Sequence, residues 1–107
     1  MRKIVAAGLL LAGCLHAQAI RSNAGFGASL VPRNDDGSTA LQPLGFTINF
    51  FGKQRTHAFV NNNGNITFDS ALSTYTPFGL ERTQREIIAA FFADVDTRDL
   101  GSKVVTY

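Results

Sequence analysis

The sequence predicts an all-β antiparallel domain behind a helical export signal, and three observations carry that expectation. Apolar and polar residues alternate along Phe46-Thr47-Ile48-Asn49-Phe50. An Asn-Gly pair lies between two short apolar runs, Ala58-Phe59-Val60 and Ile66-Thr67-Phe68. The one long uncharged apolar stretch sits at the extreme N-terminus. Alternation with a period of two places one apolar face on a half-buried strand. Asn-Gly between apolar runs is a strong hairpin cue, because a type I′ turn needs positive φ at both central residues.

The N-terminal element has the three parts of a signal peptide. Arg2 and Lys3 supply the positive charge, Ile4 to Ala12 the apolar stretch, and Ala17 and Ala19 the small residues that signal peptidase accepts. The uncharged run from Ile4 to Ile20 is 17 residues long, the lower edge of what spans a bilayer, and Gly8, Gly13, His16 and Gln18 weaken it further. Two processing routes are open. Cleavage after Ala19 releases a secreted chain; alternatively Leu11-Ala12-Gly13-Cys14 resembles a bacterial lipobox, in which Cys14 carries lipid and tethers the protein to the cell envelope. The apolar character continuing past Cys14 and the Ala-Gln-Ala site favour secretion.

Removing residues 1–19 from 107 leaves 88, enough for one small domain. Cys14 is the sole cysteine, so no disulfide framework staples that domain. The net charge of +2 belongs to Arg2 and Lys3; residues 20–107 hold 8 basic and 8 acidic side chains. A balanced surface of this kind argues against a nucleic-acid partner.

Residues 20–43 read as a turn-rich segment around Asn34-Asp35-Asp36-Gly37-Ser38, with Asp35 and Asp36 on a solvated loop. From Leu44 the strand pattern begins, and Gly52-Lys53-Gln54-Arg55 turns the chain towards the Asn-Gly hairpin. Residues Ser70 to Pro77 read as loop. Ile87, Ile88, Phe91, Phe92 and Val95 follow a helical stripe, yet the run also suits a buried strand, and periodicity alone does not decide between them. Ser102 to Tyr107 reads as a further strand; the chain stops inside it, leaving an unpaired edge, as a truncated product would.

Four ordered pieces carry a family resemblance: Phe50-Phe51-Gly52-Lys53, Phe59 to Phe68 (FVNNNGNITF), Leu72 to Pro77, and Ile87 to Arg98 (IIAAFFADVDTR). Together, with Gly101 to Tyr107 behind them, they resemble the first half of a nidogen-like (NIDO) extracellular domain over residues 44–107. Ala90 and Phe92 stand where that family often has proline and tryptophan, and both keep the apolar character. The resemblance implies an incomplete antiparallel β-sandwich-like domain, with Ile87 to Val95 as a strand. It also implies an extracellular adhesion or matrix-type role without catalysis or cofactor, towards an extracellular protein or a matrix or surface glycan. A membrane is involved only if Cys14 is lipidated. The competing reading is an accessory N-terminal segment of a secreted or lipid-anchored enzyme whose catalytic part lies outside this chain.

Asp94, Asp96 and Asp99 are the acidic residues to weigh as a calcium site, since closely spaced carboxylates on a loop supply oxygens to a hard cation. They lack the glycine-centred loop and bidentate glutamate of such sites, so turn capping and pairing with Arg98 is the stronger expectation. Asp94-Val95-Asp96 also resembles the Asp-x-Asp-x-Thr nucleophile motif of haloacid-dehalogenase-type phosphatases. Arg98 occupies the threonine position, however, and nine residues after it leave no room for the remaining motifs. His57 has no nucleophile motif around it, which makes a half-exposed strand edge its expected place. Asn65-Ile66-Thr67 is a formal N-glycosylation sequon. Phe46, Phe50, Phe59, Phe68, Phe91 and Phe92 are expected in the core.

Overall fold

The computed structural model describes residues 27–107. The signal segment with Cys14, Ala17 and Ala19, and the start of the 20–43 segment, lie outside the described residues. Four antiparallel strands form one sheet in chain order: β1 (Gln42–Phe50), β2 (Lys53–Asn61), β3 (Asn65–Thr67) and β4 (Ile87–Ala89). The only helical element among the described residues is a 3₁₀ turn at Leu80–Arg82. The fold is all-β, an open sheet that makes up one layer of a β-sandwich-like domain.

The first hairpin is tighter than its sequence announces. Phe50 pairs with Lys53, so Phe51 and Gly52 alone form the loop, with φ of 48° and 85°. Two consecutive positive φ values mark a type I′ turn, which matches the twist of its flanking strands. The Asn49 side chain accepts a hydrogen bond from the Gly52 amide (2.8 Å) and braces the turn. Lys53 to Arg55, expected as part of the turn, are the start of β2.

Further along, β1 bulges. Pro43 pairs with His57 and Ile48 with Arg55, so Leu44 to Thr47 stand opposite Thr56 alone. Gly45, at φ 76°, supplies the left-handed residue that such a bulge uses. The bulge breaks the simple alternation and turns Phe46 out to solvent, 63% exposed.

The Asn-Gly hairpin forms where expected but not as the expected turn. Asn61 pairs with Asn65, leaving a three-residue loop in which only Gly64 has positive φ (77°) and the Gly64 amide donates to the Asn61 carbonyl (3.2 Å). A turn followed by a left-handed glycine is the usual three-residue hairpin. It stands in place of type I′ because the Asn61–Asn65 register leaves three residues in the loop, and the side chains of Asn62 and Asn63 are buried. An ideal Cβ on Gly64 would sit 1.7 Å from the Phe91 carbonyl oxygen, so glycine is required twice over.

The C-terminal third is less regular than its apolar pattern suggests. Of Ile87 to Val95, only Ile87–Ala89 is strand; beyond it the backbone follows the Asn-Gly loop through Phe91 N–H to Gly64 carbonyl (3.1 Å) and Ala93 N–H to Asn63 carbonyl (3.3 Å). Ser102 to Tyr107 is not a strand either. It contributes the single bridge Leu30–Thr106, with Val31 donating to the Val105 carbonyl (2.9 Å) and Tyr107 to the Ser29 carbonyl (3.0 Å).

Buried residues are as often polar as apolar. Val31, Ala58, Phe68, Leu72 and Ile87 are joined by Asn61, Asn62, Asn63, Asn65, Thr67 and Thr97. Of the phenylalanines expected inside, Phe68 is buried, Phe50, Phe59 and Phe92 are half-buried, and Phe46 and Phe91 are exposed. Phe50 meets Phe68 with ring centroids 4.9 Å apart, and Phe78 meets Phe92 edge-on at 5.1 Å.

Candidate functional site

The two faces of the sheet differ in kind. Directly opposed residues of adjacent strands share a face. Phe59, Thr67 and Ile87 form one row, and Asn61, Asn65 and Ala89 lie beside it on that face. This face is covered by the Ser70–Thr74 loop and the Ser38 segment. The opposite row is Val60, Ile66 and Ile88, wholly apolar, with Ile88 41% exposed. Ala90 and Val105 extend it around a shallow depression of about 280 Å³. Among the described residues, the covered face thus mixes buried asparagine and threonine with apolar side chains, and the wholly apolar row lies on the open face.

The covered face is held by a hydrogen-bonded hub. The Asn61 amide donates to Asn65 Oδ1 (2.8 Å) and Thr67 Oγ1 (3.0 Å), and its carbonyl oxygen accepts from Ser38 Oγ (2.6 Å) and the Leu72 amide (3.0 Å). Asn62 donates to the backbone carbonyls of Asp35 (2.6 Å) and Val95. Asn63 donates to Asp36 Oδ1 (2.9 Å) and the Thr74 carbonyl (3.3 Å) while accepting from the Val95 amide (2.9 Å). Thr97 Oγ1 accepts from the Asn34 amide (3.0 Å) and donates to the Asn34 carbonyl (2.8 Å). Each buried amide is matched to partners, as a polar interior requires. The sequon lies inside this hub: Asn65 is 4% and Thr67 0% exposed, and both side chains are engaged.

The three aspartates weighed for calcium do not converge. Asp94 groups with Asp35 and Asp36, each offering a carboxylate oxygen within 4.8 Å of the others. Asp96 instead accepts from the Arg98 amide (2.9 Å) and pairs with its guanidinium (2.7 Å), which also reaches Asp35 (2.8 Å). These bonds from Arg98 hold the Asp96 carboxyl down at about 2. Asp99 caps its own turn through the Gly101 amide (2.6 Å). Three carboxylates, one already accepting from Asn63 and one from Arg98, fall well short of the six to eight oxygens calcium takes. Asp35 and Asp36, placed on a solvated loop by sequence, are half-buried against this junction.

At the opposite end, Phe50, Phe51, Leu80 and Ile87 wall a cleft of about 470 Å³ beside Lys53, Arg85 and Glu86. Phe51 is 92% exposed. Glu86 receives Lys53 Nζ (2.5 Å) and Arg55 Nε (2.6 Å), whose hydrogen bonds, Arg55's foremost, bring its carboxyl down to about 2. His57 is exposed on β2, its Nδ1 2.9 Å from Thr56 Oγ1. Arg33 was not singled out by any sequence signal. Its guanidinium donates to the carbonyls of Thr97 (2.9 Å), Asp99 and Ser102 (3.1 Å), gathering a loop more than 60 residues away. A lone arginine in a turn-rich segment carries no mark of such a role.

Among the described residues an open antiparallel sheet with inward asparagines and threonines and hairpins at Phe51-Gly52 and Asn63-Gly64 gives an incomplete β-sandwich-like architecture, and no helix is long and apolar enough to cross a membrane. The family described as NIDO related matches residues 20–107, and the chain belongs to it. Alpha-tectorin of Mus musculus is 40% identical over 65 residues, 60% of this chain and 3% of that protein. Nidogen of Drosophila melanogaster is 40% identical over 70 residues, 64% of this chain and 5% of that protein. The chain thus spans only a small part of the curated relatives it matches. No solved structure gives a significant match.

Proposed function

We propose that this chain is an extracellular adhesion or matrix-type interaction module, exported behind residues 1–19, that works by surface contact and not by catalysis. The carrying observation is membership of the NIDO-related family across residues 20–107, in company with nidogen and alpha-tectorin. The open row Val60-Ile66-Ile88 and the projecting Phe51 support a contact role, since apolar groups left on a sheet face and a turn tip are suited to a protein partner. The proposed partners are extracellular proteins or matrix or surface glycans.

Two measurements test the reading. N-terminal sequencing of the exported protein should begin at Ile20; a lipid-modified Cys14 would replace secretion with an envelope anchor, and an intact Met1 would rule out cleavage at either site. Beads coated with the chain should be retained on cell-deposited matrix, and Phe51→Ser together with Ile88→Asp should abolish retention. Equal retention of wild type, double variant and uncoated beads sinks the adhesion reading.

A further inference from the structure

Asn-Gly is the most chemically labile dipeptide context for asparagine, because the unhindered glycine nitrogen can attack the side-chain amide. Position 64 nevertheless tolerates only glycine, with φ 77° and Phe91 against its Cα. Position 63 needs an amide, since one end donates to Asp36 Oδ1 (2.9 Å) and the other accepts from the Val95 N–H (2.9 Å). The fold is thus obliged to carry the labile pair.

It also silences it. Asn63 is 1% exposed, which excludes the base and the water that the reaction consumes. Its side-chain amide is tied at both ends, and the Gly64 N–H is occupied by the Asn61 carbonyl (3.2 Å). The peptide is further clamped by Phe91 N–H on the Gly64 carbonyl (3.1 Å) and Ala93 N–H on the Asn63 carbonyl (3.3 Å).

We propose that Asn63-Gly64 is a deamidation site, silent in the folded domain and reactive once the loop opens, so that hydrolysis marks and traps molecules that have unfolded. The Gly64 nitrogen bonds to Asn63 Cγ, the Cγ–Nδ2 bond breaks, and ammonia departs with the amide proton, leaving a succinimide. Water opens the ring at either carbonyl, giving aspartate or isoaspartate at position 63. Neither product fits the folded site. A carboxylate has no proton for Asp36 or the Thr74 carbonyl, and it would add a fourth negative group beside Asp35, Asp36 and Asp94. Isoaspartate also lengthens a backbone held on both sides.

The test compares the full chain in mildly alkaline buffer with and without denaturing urea, reading deamidation at position 63 by peptide mass and isoaspartate by enzymatic methylation. The expected result is a rate in urea roughly tenfold or more above the native rate, the factor reporting how seldom the loop opens. Deamidated chains, separated by charge and returned to buffer, should fail to regain the native circular dichroism, whereas unmodified chains from the same urea recover it. Equal rates in the two conditions, or full recovery of the deamidated fraction, would overturn the proposal.

Discussion

Asn61 illustrates how much a single side chain organises here. Its four hydrogen bonds join β2 to β3, to the Ser38 segment and to the loop at Leu72. Asn61→Ala leaves the Leu72 amide and the Ser38 hydroxyl without a buried acceptor, and should cost about 2–4 kcal/mol in urea unfolding, because each orphaned buried group costs about 1–3 kcal/mol. Gly64→Ala meets both a left-handed φ and a backbone oxygen, so a loss of about 3 kcal/mol or more, or no folded protein, is expected in the same measurement. Together with Asp96, whose carboxyl is also held down at about 2, Glu86 contributes to the pH dependence. Its folded carboxyl titrates at about 2 against an ordinary 4.5, so between those values the unfolded chain binds more protons. The stabilisation is complete above about pH 4.5, declines as the pH falls, and is gone below about pH 2. Glu86→Gln should therefore be less stable than wild type near neutrality, with the gap closing through that window in thermal melts. At this scale the sequence was a poor guide. Runs of asparagine read as loop, and nothing local says that four of them turn inward.

Elements were more legible, and the turns show why their details were not. The Asn-Gly signal located a hairpin correctly but suggested type I′, while the true type I′ turn is Phe51-Gly52. Phenylalanine is poorly suited to the left-handed region, which disfavours residues other than glycine and asparagine by about 1–2 kcal/mol. Phe51→Asn should accordingly raise stability by about 1 kcal/mol in denaturant melts while weakening matrix retention. A gain in stability with unchanged retention would assign the phenylalanine no contact role. The predicted strands 87–95 and 102–107 shrink to Ile87–Ala89 and a single bridge. In both, backbone groups that a ladder would use are taken instead by the Asn63-Gly64 loop and by the Ser29–Val31 segment.

For the whole molecule, the dominant fact is an apolar row left uncovered among the described residues while asparagines and threonines are buried on the other face. One apolar row, Val60-Ile66-Ile88, faces outward beside the free edge of β4. Sheets bury such a face against a second layer at about 10 Å, and since none covers it among the described residues the chain should associate. Light scattering is expected to show association that grows with concentration and is reduced by Ile88→Asp, a substitution that a 41% exposed position accommodates. A monodisperse monomer of the wild type would mean that the face is stable in water.

The sequence by itself determined the all-β class, the position of the Asn-Gly hairpin and the family, because alternation, turn residues and ordered motifs are local properties of a chain. Only the tertiary structure decided which face is covered, that Asp94 joins Asp35 and Asp36 in place of Asp96 and Asp99, and that Arg33 gathers the 97–102 loop. The last two depend on contacts between residues some 60 positions apart, and the first on contacts 11 and 23 positions apart. Such contacts are chosen by where buried amides and charges find partners, and no window of neighbouring residues contains that information.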